Sequence, residues 1–522
     1  MNATLTTATP APSANPWMIA LTVMIPTFME VLDTTIANVA LKNIAGSLSA
    51  SIHQATWVLT SYLIANAIVI PCAAWIGQRI GRKRFLLACV LVFTVASFLC
   101  GLATSLPMLI VMRVIQGAGG GAFQPIAFSI MLESFPTAQH GKAMGIYGLG
   151  VVFAPVIGPV LGGWITDHSS WPWIFFIKVP VGIVALALIQ RYIHDPVWIR
   201  DARPGRLDVL SLAFMSLWLG CQEVLLDKGQ EDDWFQSRFI IPMAGLAIIG
   251  LVAFVWREIR AARPLVDLRV VRSYNFSFGS ALMFFAGLSI YSMTAVIPLF
   301  MQSLMGYTAL QSGLAMIPRG VGSVIAMPLV GRLVNVVPGR YLVAIGFLLF
   351  GVSSVAMTQI SQDSSGWTML WPLLLSGMSL GFMIVPLSTI AMGSFKPEQI
   401  GNASGIFNLM RNVGGSVGIA LATTLAERGA QAHQGTLTAH LTPYDDGYRA
   451  AVHTLTTTFA SQGDPVAAHQ RALGTLYQGV LTQASLLSYI DIFALFALMC
   501  LACVIAALCH RTSASRGAIA AH

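Results

Sequence analysis

Two carboxylates stand inside a stretch that is too apolar to hold them freely. Residues Trp17 to Leu41 read WMIALTVMIPTFMEVLDTTIANVAL, with Glu30 and Asp33 near the middle. A helix of about 20 apolar residues crosses a bilayer, and a charged side chain at its centre costs about 2.5–3.5 kcal/mol on insertion scales. Groups retained at that cost face a bundle interior or a water-filled cavity, where they bind a proton, an ion or a substrate. Asp33 is therefore expected to be a proton or cation site. Glu30 lies one turn earlier, at spacing i to i+3, on the same helix face. Two carboxylates so placed resist carrying two charges together, which suits one of them to hold a proton. Arg113 poses the same problem with the opposite sign. It sits in the otherwise apolar LIVMRVIQGAGGG, where a lone guanidinium requires a carboxylate or carbonyl partner.

A different kind of chemistry is written in APVIGPVLGGWITD and the residues before it. Gly148, Gly158, Gly162 and Gly163 surround Pro155 and Pro159. Each proline removes a backbone hydrogen bond, and small residues let neighbouring helices approach closely. Such a helix can bend and rock; plain helix packing would explain the glycines but less readily the paired Gly-Pro.

The elements that must position these residues are membrane helices. The chain has 522 residues, 56% of them hydrophobic and 10% charged, against about 25% charged in an ordinary soluble domain. Mean hydropathy is +0.74. Spans are expected at 17–41, 55–76, 85–104, 107–132, 142–166 and 172–193, then at 208–226 and 238–256, then at 275–302, 311–335, 341–360, 369–394, 404–426 and 486–509. That makes 14, arranged as six, two and six: an N-terminal half over 17–193, an inserted pair with its loops over 194–273, and a C-terminal half over 274–510, with tails at 1–16 and 511–522. The net charge of +8 does not point to nucleic acid, because of the 29 Lys and Arg, 19 fall in one set of alternate loops, six in the other and four within spans. The positive-inside rule then puts both termini in the cytoplasm. The tail 1–16 carries no Lys or Arg and reads as a short disordered tail, not a signal peptide. AWIGQRIGRKRFL after the second span and VGRLVNVVPGRYLV after the tenth share a glycine, apolar residues and a basic turn, which supports two related halves.

The seven cysteines lie in or beside apolar segments and read as packing residues; Cys500 and Cys503 share a helix face. The long outside loop 427–485 reads as a surface loop or a docking surface, with an amphipathic helix possible over 463–485. No GxxxxGK[ST] sequence occurs, so the energy source is an ion gradient and not ATP. His53, His140 and His168 form no polar cluster, which argues against a membrane enzyme; a receptor or sensor that binds without transport is a third class.

LDTTIANVAL (32–41), RIGRKR (79–84), LIVMRVIQGAGGG (109–121) and APVIGPVLGGWITD (154–167) together resemble the 14-span drug:proton antiporters of the major facilitator superfamily, EmrB type. WPWIFFIKVPVG, LDKGQEDDWF, RPLVDLRVV and SGIFNLMRNVGGSVG extend the resemblance over nearly the whole chain. It implies an all-α major facilitator fold in the bacterial inner membrane, two six-helix halves plus two inserted helices. The implied activity is proton-driven efflux of amphipathic drugs by alternating access, with no cofactor; export of one physiological compound such as a fatty acid, bile salt or siderophore is the alternative. The resemblance further implies a periplasmic adaptor of the EmrA type and an outer-membrane channel of the TolC type, with membrane lipids around the spans.

In that light Asp33, Arg113 and Glu30 are the proton-coupling candidates, and Arg113 is paired with Asp33, a purely structural bridge being the other reading. The substrate-cavity candidates are Glu30, Asn38, Gln116, Glu223 and Arg411. Arg79, Gly81 and Arg82 form the conformational loop motif, and Pro155, Gly158, Pro159, Gly162 and Gly163 the antiporter motif that seals the outer gate. Arg319 and Arg411 are expected to brace the bundle. The chain departs from the family at Glu30, normally neutral; at Gln78, normally acidic; at Lys42, normally proline; and at Lys178, normally asparagine and expected to snorkel to the outer interface.

Overall fold

The computed structural model describes residues 15–510 apart from 137–138, 197–198, 200–207, 262–263, 362–365, 394, 440, 443 and 462–464. The tails 1–14 and 511–522, and the basic turn with Arg200, Arg203 and Arg206, lie outside the described residues. Every regular element among the described residues is helical. Among the described residues, twelve helices are long and apolar enough to cross a membrane: α1 Pro16–Val39, α2 Trp57–Ile80, α3 Arg82–Gly101, α4 Leu106–Ser134, α6 Trp173–Tyr192, α7 Val209–Lys228, α8 Ile240–Arg260, α9 Tyr274–Ser303, α10 Leu310–Leu333, α11 Gly339–Met357, α12 Trp367–Met392 and α14 Ala467–Cys509. Two more occupy the fifth and thirteenth expected spans, α5 His140–His168 and α13 Pro397–Ala439. Asn402, Asn408, Arg411 and Asn412 make α13 less apolar than the twelve.

Local chemistry sets the helix ends. Asn15 caps α1, its Oδ1 accepting from Trp17 N at 3.0 Å, with Pro16 in the first turn. Ser105 caps α4 ahead of Pro107 in the same way. A step at Gly121–Ala122 divides α4 into Leu106–Gly120 and Phe123–Ser134, and every residue from Phe123 to Leu132 is buried. That second segment therefore runs through the middle of the bundle.

Helices α1 to α6 pack among themselves and α9 to α14 among themselves, while α5 against α10 and α12, and α2 and α4 against α13, join the two groups. The pair α7 and α8 lies at the rim, against α2 and α13. The α8 face with Ile248, Ile249, Val252 and Ile259 is more than half exposed, as a lipid-facing helix requires.

The segment 427–485 corrects the sequence reading. The helix allowed over 463–485 is present, as the start of α14, but the stretch before it is helical too: α13 continues to Ala439 and a separate helix covers Asp446–Ala460. At 1.5 Å per residue α13 is roughly 65 Å long, about twice the hydrocarbon thickness. Outside the membrane a helix needs only one apolar face, so its overall polarity resembles that of a loop. The end of the molecule that carries this bundle is called the extended end below, and the opposite end, with Arg79 to Arg84, the basic end.

The basic turn between α2 and α3 is fixed by two carboxylates and a backbone carbonyl from elsewhere in the chain. Arg82 Nη1 donates to Glu133 Oε2 at 2.5 Å, Lys83 N donates to Asp195 Oδ1 at 2.9 Å, and Lys83 Nζ donates to Gln190 O at 2.6 Å. Gly81 turns the chain at φ +92°, and a Cβ there would lie 2.6 Å from Asp195 Oδ2. Gly81→Ala therefore combines about 1–2 kcal/mol of left-handed backbone cost with a displaced Asp195. The expected outcome is a lowered unfolding midpoint of the purified protein, with Gly77→Ala, whose Cβ would meet only ordinary contacts at 3.4 Å and beyond, as the control.

Candidate functional site

The centre of the first group is a closed set of charges. Asp33 on α1 is fully buried, and its two oxygens take donors from two other helices. Arg113 of α4 donates from Nη1 to Asp33 Oδ2, and Lys178 of α6 donates from Nζ to Asp33 Oδ1. Gln116 adds a third donor, Nε2 to Asp33 Oδ1 at 3.2 Å, and accepts from Arg113 Nη1 at 2.8 Å. Arg113 Nε donates to Val58 O of α2 at 2.9 Å. The guanidinium lies 4.1 Å from the Tyr62 ring centroid, and the Lys178 ammonium 4.7 Å from that of Phe175. Four helices thus meet at one carboxylate, and one anion faces two cations. Breaking such a buried pair costs about 3–5 kcal/mol because a charge is left uncompensated. Any event that neutralises Asp33 must therefore disturb the contacts of α1 with α4 and α6.

Glu30 belongs to a neighbouring and separate network. Its Oε1 accepts from Asn66 Nδ2 at 3.0 Å and from Gln124 Nε2 at 3.1 Å, while Oε2 is buried with no hydrogen-bond partner. Gln124 Oε1 in turn accepts from Arg411 Nη2 on α13. This line crosses between the two helix groups, so Glu30 is coupled through Gln124 to the second group.

The extended end is sealed by α5. A Cβ on Gly158 would stand 1.9 Å from Thr35 Oγ1, and one on Gly162 would meet Ile36 of α1 at 3.3 Å. On its other side α5 meets α10, where a Cβ on Gly313 would lie 2.8 Å from Val160 and one on Gly148 2.4 Å from Met327. Pro155 and Pro159 stand in this same contact stretch. At the basic end the groups separate around a cavity of ≈ 1040 Å³, whose walls include Arg82, Glu133, Asp195, Asn335 and Thr389. Between seal and cavity a small space of ≈ 40 Å³ lies at the centre, walled by Val31, Pro155, Tyr291, Met316, Arg319 and Arg411 among others.

Comparison with known proteins decides the family. The model of the Major Facilitator Superfamily matches residues 23–419. The chain belongs to the major facilitator superfamily. It is 36% identical over 437 residues to the multidrug export protein EmrB of Haemophilus influenzae, covering 82% of this chain and 84% of the relative. It is 33% identical over 470 residues to EmrB of Escherichia coli, covering 90% of each. The fatty acid resistance protein FarB of Neisseria gonorrhoeae is 34% identical over 476 residues, covering 91% of this chain and 92% of that one. Among solved structures, the human organic anion transporter MFSD10 superposes with a TM-score of 0.57 at 13% identity, over 80% of this chain and 94% of that one, a likeness of fold.

Within this major facilitator chain, the structure brings Asp33, Arg113 and Gln116 together and sets Glu30 beside them on its own partners. Gln116 is an ion-cluster residue and not a cavity residue. Arg411 lines the central cavity. Asn38 does not: it is exposed on α1, on the face away from Asp33. Glu223 lies apart from the cavity, on α7 against α13. Arg79 is exposed at the end of α2 while Arg82 is buried on Glu133. Lys178 corrects the sequence reading most sharply. It is 2% exposed and inside the cluster, not at the outer interface, because the short segment Trp173–Phe176 turns the start of α6 inward against α3 and α5. Glu133 and Asp195 went unnoticed for a related reason: their partners are 51 and 112 residues away in sequence.

Proposed function

We propose that this transporter exports amphipathic small molecules in exchange for protons, by alternating access in the bacterial inner membrane with both termini in the cytoplasm. The observation that carries the reading is the buried Asp33 carboxylate held at once by Arg113 and Lys178. An arginine side chain does not give up its proton in a protein, so the proton-exchanging members of the cluster are Asp33 and Lys178. A proton arriving on Asp33 from the extended end cancels its attraction for both cations and loosens α1 from α4 and α6. Loss of that proton toward the basic end restores the pairs. Intact pairs, a sealed extended end and an open basic end together correspond to the state that has released its proton and takes cargo from the cytoplasm. Transfer of one charge across 100 mV supplies about 2.3 kcal/mol.

The cargo follows from the central cavity. Its walls are apolar and aromatic apart from Thr294, Arg319 and Arg411, with no carboxylate. Arg319 donates to Thr294 Oγ1 at 2.9 Å and to Ile290 O at 3.1 Å, neutral acceptors that leave its charge available to an anion. This favours amphipaths with a carboxylate or other acidic group, and supports the narrower reading of a dedicated exporter of a compound such as a fatty acid, in keeping with the name of FarB. Arg411→Gln is expected to lower uptake of an anionic amphipath about tenfold, the equivalent of 1.4 kcal/mol, and to leave a cationic dye unaffected.

The decisive experiment uses proteoliposomes with an imposed pH gradient and a fluorescent amphipath. Accumulation that appears with the gradient and collapses with a protonophore is expected; accumulation indifferent to the gradient would sink the reading. The helical bundle of the extended end is proposed as the contact for an EmrA-type adaptor, which would pass cargo to a TolC-type channel. Co-purification of such an adaptor that persists after residues 430–480 are replaced by a Gly-Ser linker would argue against that contact.

A further inference from the structure

One buried carboxylate takes no part in the Asp33 cluster or the cavity. Glu223 of α7 is 7% exposed, and both its oxygens lie at hydrogen-bond distance from a single group, the Ser416 hydroxyl of α13, at 3.1 and 3.0 Å. A hydroxyl has one hydrogen to give. An ionised carboxylate in this place would have one donor for two oxygens, whereas a protonated carboxyl satisfies both atoms by accepting from Ser416 and presenting its own hydrogen to the same oxygen's lone pairs.

The charges on the packed elements do not compensate it. On α7 itself the nearest is Asp227, which accepts from Thr60, and Lys228 is committed to Thr56 and to Glu231 at 2.7 Å. On α13, Arg411 is bound to Gln124 and Glu427 accepts from Gln230 at 2.8 Å. On α8, Arg257 is bound to Asp208 at 2.9 Å, Glu258 accepts from Val266 N, and Arg260 stacks on Trp256, all toward the basic end. On α2, the basic residue Arg79 is at the far end of the helix.

The same helix ties both halves of the seam. Asp227 and Lys228 fasten α7 to α2 through Thr60 and Thr56, while Glu223 and Gln230 fasten it to α13 through Ser416 and Glu427. Opening of the extended end between α2 and α13 must release one of these two sets. The geometry points to Glu223 as a second proton-binding site, on the inserted helix pair, whose protonated form latches α7 to α13 and holds the extended end shut. Ionisation pulls the carboxylate toward water, breaks the Ser416 contact and leaves α7 travelling with α2. The inserted pair is thereby a proton-operated strap, a role that rests on the alternating-access reading above but is independent of Asp33.

The test uses the full-length protein in nanodiscs, with Cys221 and Cys509 replaced by Ser and spin labels at Lys42 and Arg428, two exposed residues at the extended end on opposite groups. Distance distributions are recorded against pH without substrate. The open fraction is expected to rise with pH, by up to about tenfold in the open-to-closed ratio per pH unit for one proton. Glu223→Gln, which keeps a hydrogen-bonding group for Ser416 and cannot titrate, is expected to stay shut and flatten the profile. Ser416→Ala, which keeps the carboxyl but removes its partner, is expected to move the midpoint to lower pH. A Glu223→Gln profile that matches the unaltered protein, or a Ser416→Ala midpoint that does not move, overturns the proposal. Because no cargo is present and the readout is repeated with Asp33→Asn, failure here leaves proton-coupled export standing, and failure of that export leaves this result readable.

Discussion

Asp33→Asn is expected to leave a folded protein that still binds amphipaths and to reduce gradient-driven accumulation by at least about 100-fold, a loss of roughly 2.7 kcal/mol of coupling. Asparagine keeps the size of the side chain and an oxygen for Gln116, but it accepts no proton and carries no charge. Arg113 and Lys178 then face each other without an anion, both buried. Arginine cannot relieve this by losing a proton, so the lysine must discharge or the cluster must open. Either outcome uncouples helix packing from the proton. Asp33→Glu, which restores charge and titration at a longer reach, is expected to recover part of the transport. Binding measured by tryptophan quenching separates a coupling defect from loss of fold. Unchanged accumulation by Asp33→Asn would remove Asp33 from the mechanism.

Gly158→Ala is the second large effect. The added methyl would stand 1.9 Å from Thr35 Oγ1 and 2.6 Å from Thr35 Cβ, on a side chain that α1 holds by hydrogen bonds to Val31 O and Leu32 O. A β-branched side chain in a helix has little rotameric freedom, so the helices themselves must part. The extended-end seal is then lost, and transport is expected to fall to near background while the protein remains in the membrane. Pairing it with Thr35→Gly removes both clashing atoms and is expected to restore a measurable part of the activity. Gly46→Ala, on the connector after α1 with open space around it, is expected to behave as the unaltered protein. Full activity in Gly158→Ala would contradict a closure built on this contact.

The fold was largely legible because membrane helices declare themselves by length and apolarity alone, and fourteen stretches did so in an order the helices follow. The one that passes less clearly is α13, with asparagines and an arginine at packed faces. The Asp33–Arg113 contact was legible because each charge was unaffordable without the other. Lys178 was not, since a lysine at a helix start is normally free to snorkel, and only the packing of the Trp173–Phe176 turn denies it that route. Of the 427–485 bundle only the amphipathic stretch 463–485 is legible as helix; the continuation of α13 to Ala439 and the helix Asp446–Ala460 are not, because polar helices outside a bilayer and loops share a composition. Asn38 illustrates the opposite error: a polar residue on a functional helix need not share the functional face, and five positions from Asp33 it points away.

If Asp33 exchanges a proton against cargo, then cargo binding must drive a proton off the transporter, and that release can be measured. Purified transporter in weakly buffered detergent, at a pH low enough that Asp33 holds its proton before cargo arrives, is mixed with an anionic amphipath, and a pH indicator reports protons released as cargo binds. A saturable release that follows binding is expected in the unaltered protein, and none in Asp33→Asn at matched occupancy. Equal release by both proteins, or binding by the unaltered protein without release, would contradict it.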